Sequence, residues 1–183
     1  MARFEQAFKI TERNEGGYAN NPADHGGETY AGIARNFWPN WSGWAIIDAA
    51  KRTTKTAPLI NQYAKTNGID AHVAKFYKQN FWDVNKLDLF NDQQLANNVY
   101  DFGVNSGTKK AAKVLQQALK IKDDGIIGNQ TLAAVNAYNG KDLYNLYNGA
   151  RTEFYNRLAS QSPDQHQFLK SWLSRVKPYK DIA

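Results

Sequence analysis

The chain has 183 residues, and its 23 Lys and Arg against 17 Asp and Glu give a formal net charge of +6. It contains no cysteine, which excludes disulfide scaffolds, thiol enzymes and Cys-ligated zinc or iron–sulfur sites. Hydrophobic residues make up 42% of the chain, enough for a core at the length of one domain. Its three histidines are scattered, so we expect neither a metal nor a cofactor.

The hydropathy pattern argues against a membrane protein. No apolar run approaches the length of about 18 residues that a spanning helix needs. The first ten residues carry charges every few positions and lack the apolar segment of a signal peptide. We therefore expect synthesis in the cytoplasm without a Sec signal peptide.

The first predicted helix covers residues 2–14. Phe4, Phe8 and Thr11 share one face of it, and Glu15, eleven positions after Phe4, returns to that face at about 100° per residue. The pattern therefore places a carboxyl where an apolar helix face ends.

Residues 16–33 have the composition of turns, with five Gly, one Pro and several Asn and Asp. This segment predicts a short irregular hairpin or small sheet. It also contains Asp24 and Thr29.

Helical patterns dominate after the Trp-rich stretch 36–47. The predicted helices cover residues 46–54, 56–66, 71–81, 92–104, 108–119, 129–138, 141–161 and 165–176. The fold class is therefore mainly α, with a small irregular or β region near residues 16–33. We expect two lobes packed as one compact body, residues 1–107 and 108–183.

Glu15, Asp24 and Thr29 form the set best suited to chemistry. Desolvation at an apolar helix end raises the pKa of a carboxyl, as a general acid near neutral pH requires. Glycoside hydrolysis pairs such an acid with a second, ionised carboxylate, and a hydroxyl can hold the attacking water. Surface positions or helix caps explain many Glu–Asp pairs of this spacing, so the residues alone leave both interpretations open.

An ordered series of motifs extends over nearly the whole chain. Its main segments are EGGY at 15–18, TYAGI at 29–33, VYDFGVNSG at 99–107 and DGIIG at 124–128. The series resembles the signature of glycoside hydrolase family 108, the lysozyme-like N-acetylmuramidases of phages, prophages and bacteria.

The resemblance implies a lysozyme-like fold and cleavage of peptidoglycan strands. Glu15 corresponds to the family's catalytic Glu. Similarity to the triad of phage-type lysozymes implies Asp24 as base or electrostatic stabiliser and Thr29 as the residue that positions water. We expect inversion, with carboxyls about 6.5–9.5 Å apart.

The resemblance also bears on binding. It implies a cleft-lining role for Asp101 and Asn105, whose alternative is capping of a helix end. Tyr18 and Tyr30 flank the proposed site and either contact sugar or pack the hairpin.

The Trp-rich stretch allows two interpretations as well. Trp38, Trp41 and Trp44 either form a sugar-stacking platform or belong to the core, and core is the commoner role at such spacing. For Tyr77 and Trp82 we also expect core positions.

Residues 108–183 resemble a predicted peptidoglycan-binding region. We expect a monomer without nucleic-acid partners that reaches the wall through a holin, a secretion system or lysis. Three alternatives remain: a lytic transglycosylase, a non-catalytic wall-binding or secretion-regulating module, and a basic nucleic-acid binder.

Overall fold

The computed structural model describes residues 1–12, 16–21, 26–161 and 163–181, with the backbone alone at residues 11, 12 and 163. Contacts divide the chain into two compact units. One is Phe8–Asn80, and the other joins Met1–Ala7 to Phe81–Ala183. The division between residues 107 and 108 stays a prediction.

The Phe8–Asn80 unit contains the small sheet. Strands β1 (Tyr18–Asn20), β2 (Glu28–Tyr30) and β3 (Ile33–Ala34) pair antiparallel in that order. Helices α2 (Trp44–Thr53) and α3 (Ala57–Thr66) follow and pack against each other, and α3 also contacts β1. The sheet confirms the prediction for residues 16–33.

A tight turn sets which side chains share a face of the sheet. Ala31 and Gly32 connect β2 to β3 with φ of 47° and 74°, and two consecutive positive φ angles are typical of a type I′ hairpin. Tyr30 consequently pairs with Ile33, and both side chains are buried. Because side chains alternate along a strand, Thr29 projects from the other face.

The second unit is helical. Helix α1 (Phe4–Glu12) begins in it, and α5 (Gln93–Ser106) packs against both α6 (Thr108–Ala118) and α8 (Gly140–Gln161). The remaining helices are α7 (Asn129–Ala137), α9 (Pro163–His166) and α10 (Leu169–Ser174). The mainly α, lysozyme-like fold class is thereby confirmed.

Two predicted helices differ from the observed ones. Helix α4 runs over Ile69–Tyr77 and gives way to a π-helical turn, Lys78–Trp82, instead of continuing to residue 81. The segment predicted as one helix over 165–176 is divided into α9 and α10. Helix α10 has no fully buried side chain, so packing does not enforce a continuous helix there.

The structure bears out the core positions expected for two aromatics, since Trp82 is 0% and Tyr77 3% exposed. No helix in the described ranges is long and apolar enough to cross a membrane.

Candidate active site

Thr29 is the described member of the predicted catalytic set, because Glu15 and Asp24 lie outside the described residues. Its neighbours across the sheet are Ala19 on β1 and Ala34 on β3. Directly paired residues share a face, so the half-buried Thr29 side chain is flanked by two alanine side chains. It makes no side-chain hydrogen bond to the described residues, which leaves it able to bind a water or a sugar hydroxyl.

The opposite face of β2 carries a carboxylate enclosed by cations. Glu28 is 9% exposed, and its Oε2 accepts hydrogen bonds from Lys51 Nζ at 2.8 Å and Tyr18 Oη at 2.9 Å. Arg35 Nε lies 2.5 Å from Oε1 without the alignment of a hydrogen bond, so that contact is an ion pair. The Arg35 guanidinium also binds Asp48, at 2.7 and 3.2 Å.

These contacts affect the proton affinities around Glu28. The hydrogen bond to Glu28 is the main cause that raises the pKa of Lys51. Burial, followed by the same carboxylate, raises the pKa of Tyr18. With both oxygens bound by cations, Glu28 holds β2 to Arg35 and Lys51 and is poorly placed to act as a catalytic base.

Tyr18 and Tyr30 pair directly across β1 and β2. Tyr18 is half-buried, and its hydroxyl donates to Glu28. Tyr30 is 3% exposed, and its ring stacks on Trp41 at 6.3 Å between centroids. The structure thus gives Tyr18 a hydrogen-bond partner and Tyr30 a packing partner, and a role in sugar binding stays a prediction.

Asn61 on α3 holds the backbone at the start of β1. Its Oδ1 accepts a hydrogen bond of 2.7 Å from the Tyr18 N–H. A Cβ at Gly17 would lie 2.5 Å from the Asn61 amide, so a side chain at Gly17 would displace this partner. The second glycine of the EGGY motif therefore allows a close approach between the chain and α3.

Asp101 and Asn105 belong to the other unit, where they share a polar network on α5. Asp101 accepts from Arg151 at 2.6 Å and from Arg175 at 2.5 Å. Arg151 is only 1% exposed and also binds Asn98 and Tyr155. The exposed Asn105 accepts from Tyr155 Oη at 3.3 Å.

Asp101 therefore connects α5 to α8 and to Arg175, which follows α10. Its predicted role in lining a cleft stays untested, as does that of Asn105.

The three neighbouring tryptophans separate by burial. Trp41 and Trp44 are 9% and 3% exposed, which confirms the core interpretation for both, whereas Trp38 is 40% exposed. Within the described ranges, no group of three or more His, Asp or Glu side chains could hold a metal ion.

Sequence reasoning missed Glu28, Arg35, Lys51 and Asn61. The strand pattern could have indicated Glu28. It shares one face of β2 with the buried Tyr30, so its carboxylate also points toward the interior. A carboxylate at such a position requires paired cations.

Comparison with known proteins identifies the family. Residues 8–107, more than half of the chain, match the model of Glycosyl hydrolase 108. The chain belongs to this glycosyl hydrolase family. All seven predicted site residues lie inside the matched range. Residues 110–177 match a second model, Predicted Peptidoglycan domain.

One similar solved structure is that of SagA from Brucella abortus. It shares 26% identity with this chain at a TM-score of 0.67, and the match covers 94% of this chain and 88% of that one. No curated protein matches the chain. This member of family 108 is accordingly a glycoside hydrolase that carries a peptidoglycan domain, and peptidoglycan is the polymer on which it acts.

Proposed function

We propose that this family 108 protein is an N-acetylmuramidase. It hydrolyses the β-1,4 bond between N-acetylmuramic acid and N-acetylglucosamine in peptidoglycan. Glu15 protonates the leaving oxygen, Asp24 activates water or stabilises the oxocarbenium-like state, and Thr29 positions the water.

The observation that carries this proposal is the environment of Thr29. Its side chain is half-buried, lies between those of Ala19 and Ala34, and makes no hydrogen bond to a described residue. A hydroxyl in such a setting can donate one hydrogen bond and accept others. A lytic transglycosylase has no use for such a water-holding group, because its product forms without water.

The competing carboxylate in this region is already bound. Both oxygens of Glu28 contact cations, so Asp24 is the better candidate for the second catalytic carboxyl. An inverting mechanism requires that the Glu15 and Asp24 carboxyls be about 6.5–9.5 Å apart to admit water. A separation of about 5 Å would instead favour retention.

The test is digestion of purified peptidoglycan followed by mass analysis of the new chain ends. We expect reducing N-acetylmuramic acid ends from the wild type. The Glu15→Gln variant should release these ends at least about 100 times more slowly, the usual contribution of a general acid.

Other products would reject particular parts of the proposal. Ends of the 1,6-anhydro type would identify a transglycosylase, and reducing N-acetylglucosamine ends would identify the other glycosidic bond as the target. Unchanged wall clearing by Glu15→Gln would refute the catalytic role of Glu15. Binding without any cleavage would favour a wall-binding or secretion-regulating module.

The remaining proposals concern binding of the glycan strand, the oligomeric state and the route to the cell wall. Residues 108–183 hold the glycan strand, and the chain acts as a monomer. It clears bacterial walls as a phage or prophage endolysin does, after release by a holin, a secretion system or lysis.

A further inference from the structure

A pocket of about 400 Å³ lies within the Phe8–Asn80 unit, between the Trp-rich stretch and α4. Trp41 lines it and also stacks on Tyr30. The pocket therefore lies on the side of β2 that carries Tyr30, whereas Thr29 projects from the opposite face. Thr29, the described residue of the proposed chemistry, does not line this pocket.

Two aromatic rings at the pocket are unusually accessible. Phe37 is 69% exposed and Trp38 is 40% exposed. Trp38 is held in place, since its ring meets Phe76 edge-on at 4.8 Å and its carbonyl accepts from Trp44 Nε1 at 2.8 Å. A fixed, accessible ring can stack on the apolar face of a sugar at little cost in conformational entropy.

The polar lining suits an N-acetylated sugar. Asn40 and Gln79 each offer an amide that makes no hydrogen bond to a described residue, and Asn80 uses only its Nδ2, toward the Phe76 carbonyl. Side-chain amides both donate and accept, as recognition of N-acetyl and hydroxyl groups requires.

A cation completes the lining. Lys75 on α4 is exposed and makes no ion pair with a described residue. Lys75 and Gln79 are four residues apart, so the charge and an amide lie on the same side of the chain as it enters the π-helical turn. The chemistry is thus complementary to a sugar that carries a carboxylate.

We propose that this pocket is an accessory subsite for a carboxylate-bearing N-acetylated sugar, that is, a muramyl unit of the glycan strand. The inference rests on the proposed action on peptidoglycan. The carboxylate has two possible sources: the lactyl group of a peptide-free muramyl residue and the stem peptide of a substituted one.

The experiment measures binding to the full chain by following the indole N–H signals of Trp38 and Trp41 in ¹⁵N-labelled protein. The probes are the disaccharide N-acetylglucosaminyl-N-acetylmuramic acid, the same disaccharide with a dipeptide stem, and neutral chitotriose. Neither muramyl probe contains the bond that a muramidase cleaves, so binding is measured independently of turnover. The two muramyl probes separate the lactyl from the stem carboxylate.

We expect saturable shifts of both indole signals with at least one muramyl probe and weaker binding of chitotriose. Phe37→Ala should weaken muramyl binding about threefold to tenfold through loss of stacking. Lys75→Gln should weaken it up to about fivefold, less so at high salt. The matched controls are exposed residues on α3, Leu59→Ala and Lys65→Gln, which should bind as the wild type does.

Three results would overturn the subsite. They are an absence of shifts at Trp38 and Trp41 with every probe, equal affinity for chitotriose, and pocket variants that bind no worse than the controls. Failure of the proposed function has a different signature, namely unchanged wall digestion by Glu15→Gln, and it is measured without these probes.

Discussion

The Thr29 side chain lies between those of two alanines, and its hydroxyl has no hydrogen-bond partner among the described residues. If it positions the attacking water, Thr29→Ala removes a hydrogen bond from a reacting group. We expect kcat to fall about 10- to 100-fold, the range of a hydrogen bond to a group that becomes charged. Digestion of purified walls measures the loss.

The matched control is Thr29→Ser, which keeps the hydroxyl and should retain most of the activity. Because Thr29 is only half-buried, neither variant should unfold the protein, and thermal unfolding checks this. Equal activity of Thr29→Ala and wild type would remove Thr29 from the mechanism.

A second prediction at the level of single residues concerns Glu28 and the stability of the fold in alkaline solution. The pKa values of Lys51 and Tyr18 are both raised above their ordinary values of 10.5 and 10.0. Groups with a raised pKa stabilise the fold fully below the ordinary pKa, and that stabilisation disappears as the pH rises through the folded-state pKa. Thermal unfolding should therefore show a fall in Tm above about pH 10.

Glu28→Gln supplies the comparison, because it removes the carboxylate that contributes to both shifts. Its Tm should be lower than that of the wild type at pH 7 and should decline less between pH 9 and pH 11.5. Parallel pH profiles of the two proteins would contradict the ion-pair account.

At the residue scale, sequence motifs supply candidates such as Thr29, whose catalytic role stays a prediction, and they miss residues whose partners are distant along the chain. Thr29 follows from its place in an ordered series. Asn61 contacts a backbone N–H 43 residues away, and nothing in its own neighbourhood indicates that contact. Lys51, one of the two cations at Glu28, lies on α2 and is 23 residues away, so only the folded chain brings it to the carboxylate.

At the scale of elements, Asp101 joins three parts of the helical unit. It binds Arg151 on α8 and Arg175 after α10. Asp101→Asn would leave the guanidinium of Arg151, 1% exposed, without its carboxylate. We expect the free energy of unfolding to fall by about 3–5 kcal/mol, as for other broken buried pairs. Urea unfolding measures the change.

Arg175→Gln is the matched control for that prediction. Arg175 is 25% exposed and binds the same carboxylate, so its loss should cost about 1 kcal/mol or less. A similar cost for both variants would show that burial of Arg151 does not decide the energetics.

Element prediction was most successful where an apolar stripe is continuous. Helix α5 ends just before Gly107, and α6 begins just after it. The φ of Gly107, 99°, suits glycine alone, and the sequence pattern also predicts the end of one helix and the start of the next near this residue. The π-helical turn after α4 was not predicted, because a short π-helical turn has no composition of its own that distinguishes it from the end of an α-helix.

The whole molecule carries a net charge of +6, and its sequence pI is about 9.4. If that charge attracts an anionic wall, digestion should slow as salt shortens the Debye length from about 10 Å at 0.1 M to about 3 Å at 1 M. We expect a severalfold fall in the rate of clearing of purified walls over this range. Cleavage of a short soluble glycan should change much less, and an equal decline on both substrates would contradict long-range attraction.

The position of Arg151 has a consequence for protein engineering. The family 108 match ends at residue 107, which makes that point look like a place to join a different targeting region. Arg151, however, lies beyond that point and supplies the cation that Asp101 binds within the match. A chimera joined at residue 107 would leave the Asp101 carboxylate without Arg151 and would expose the face of α5 that packs against α8. Designers who exchange wall specificity should therefore retain α8 or introduce a replacement cation with the graft.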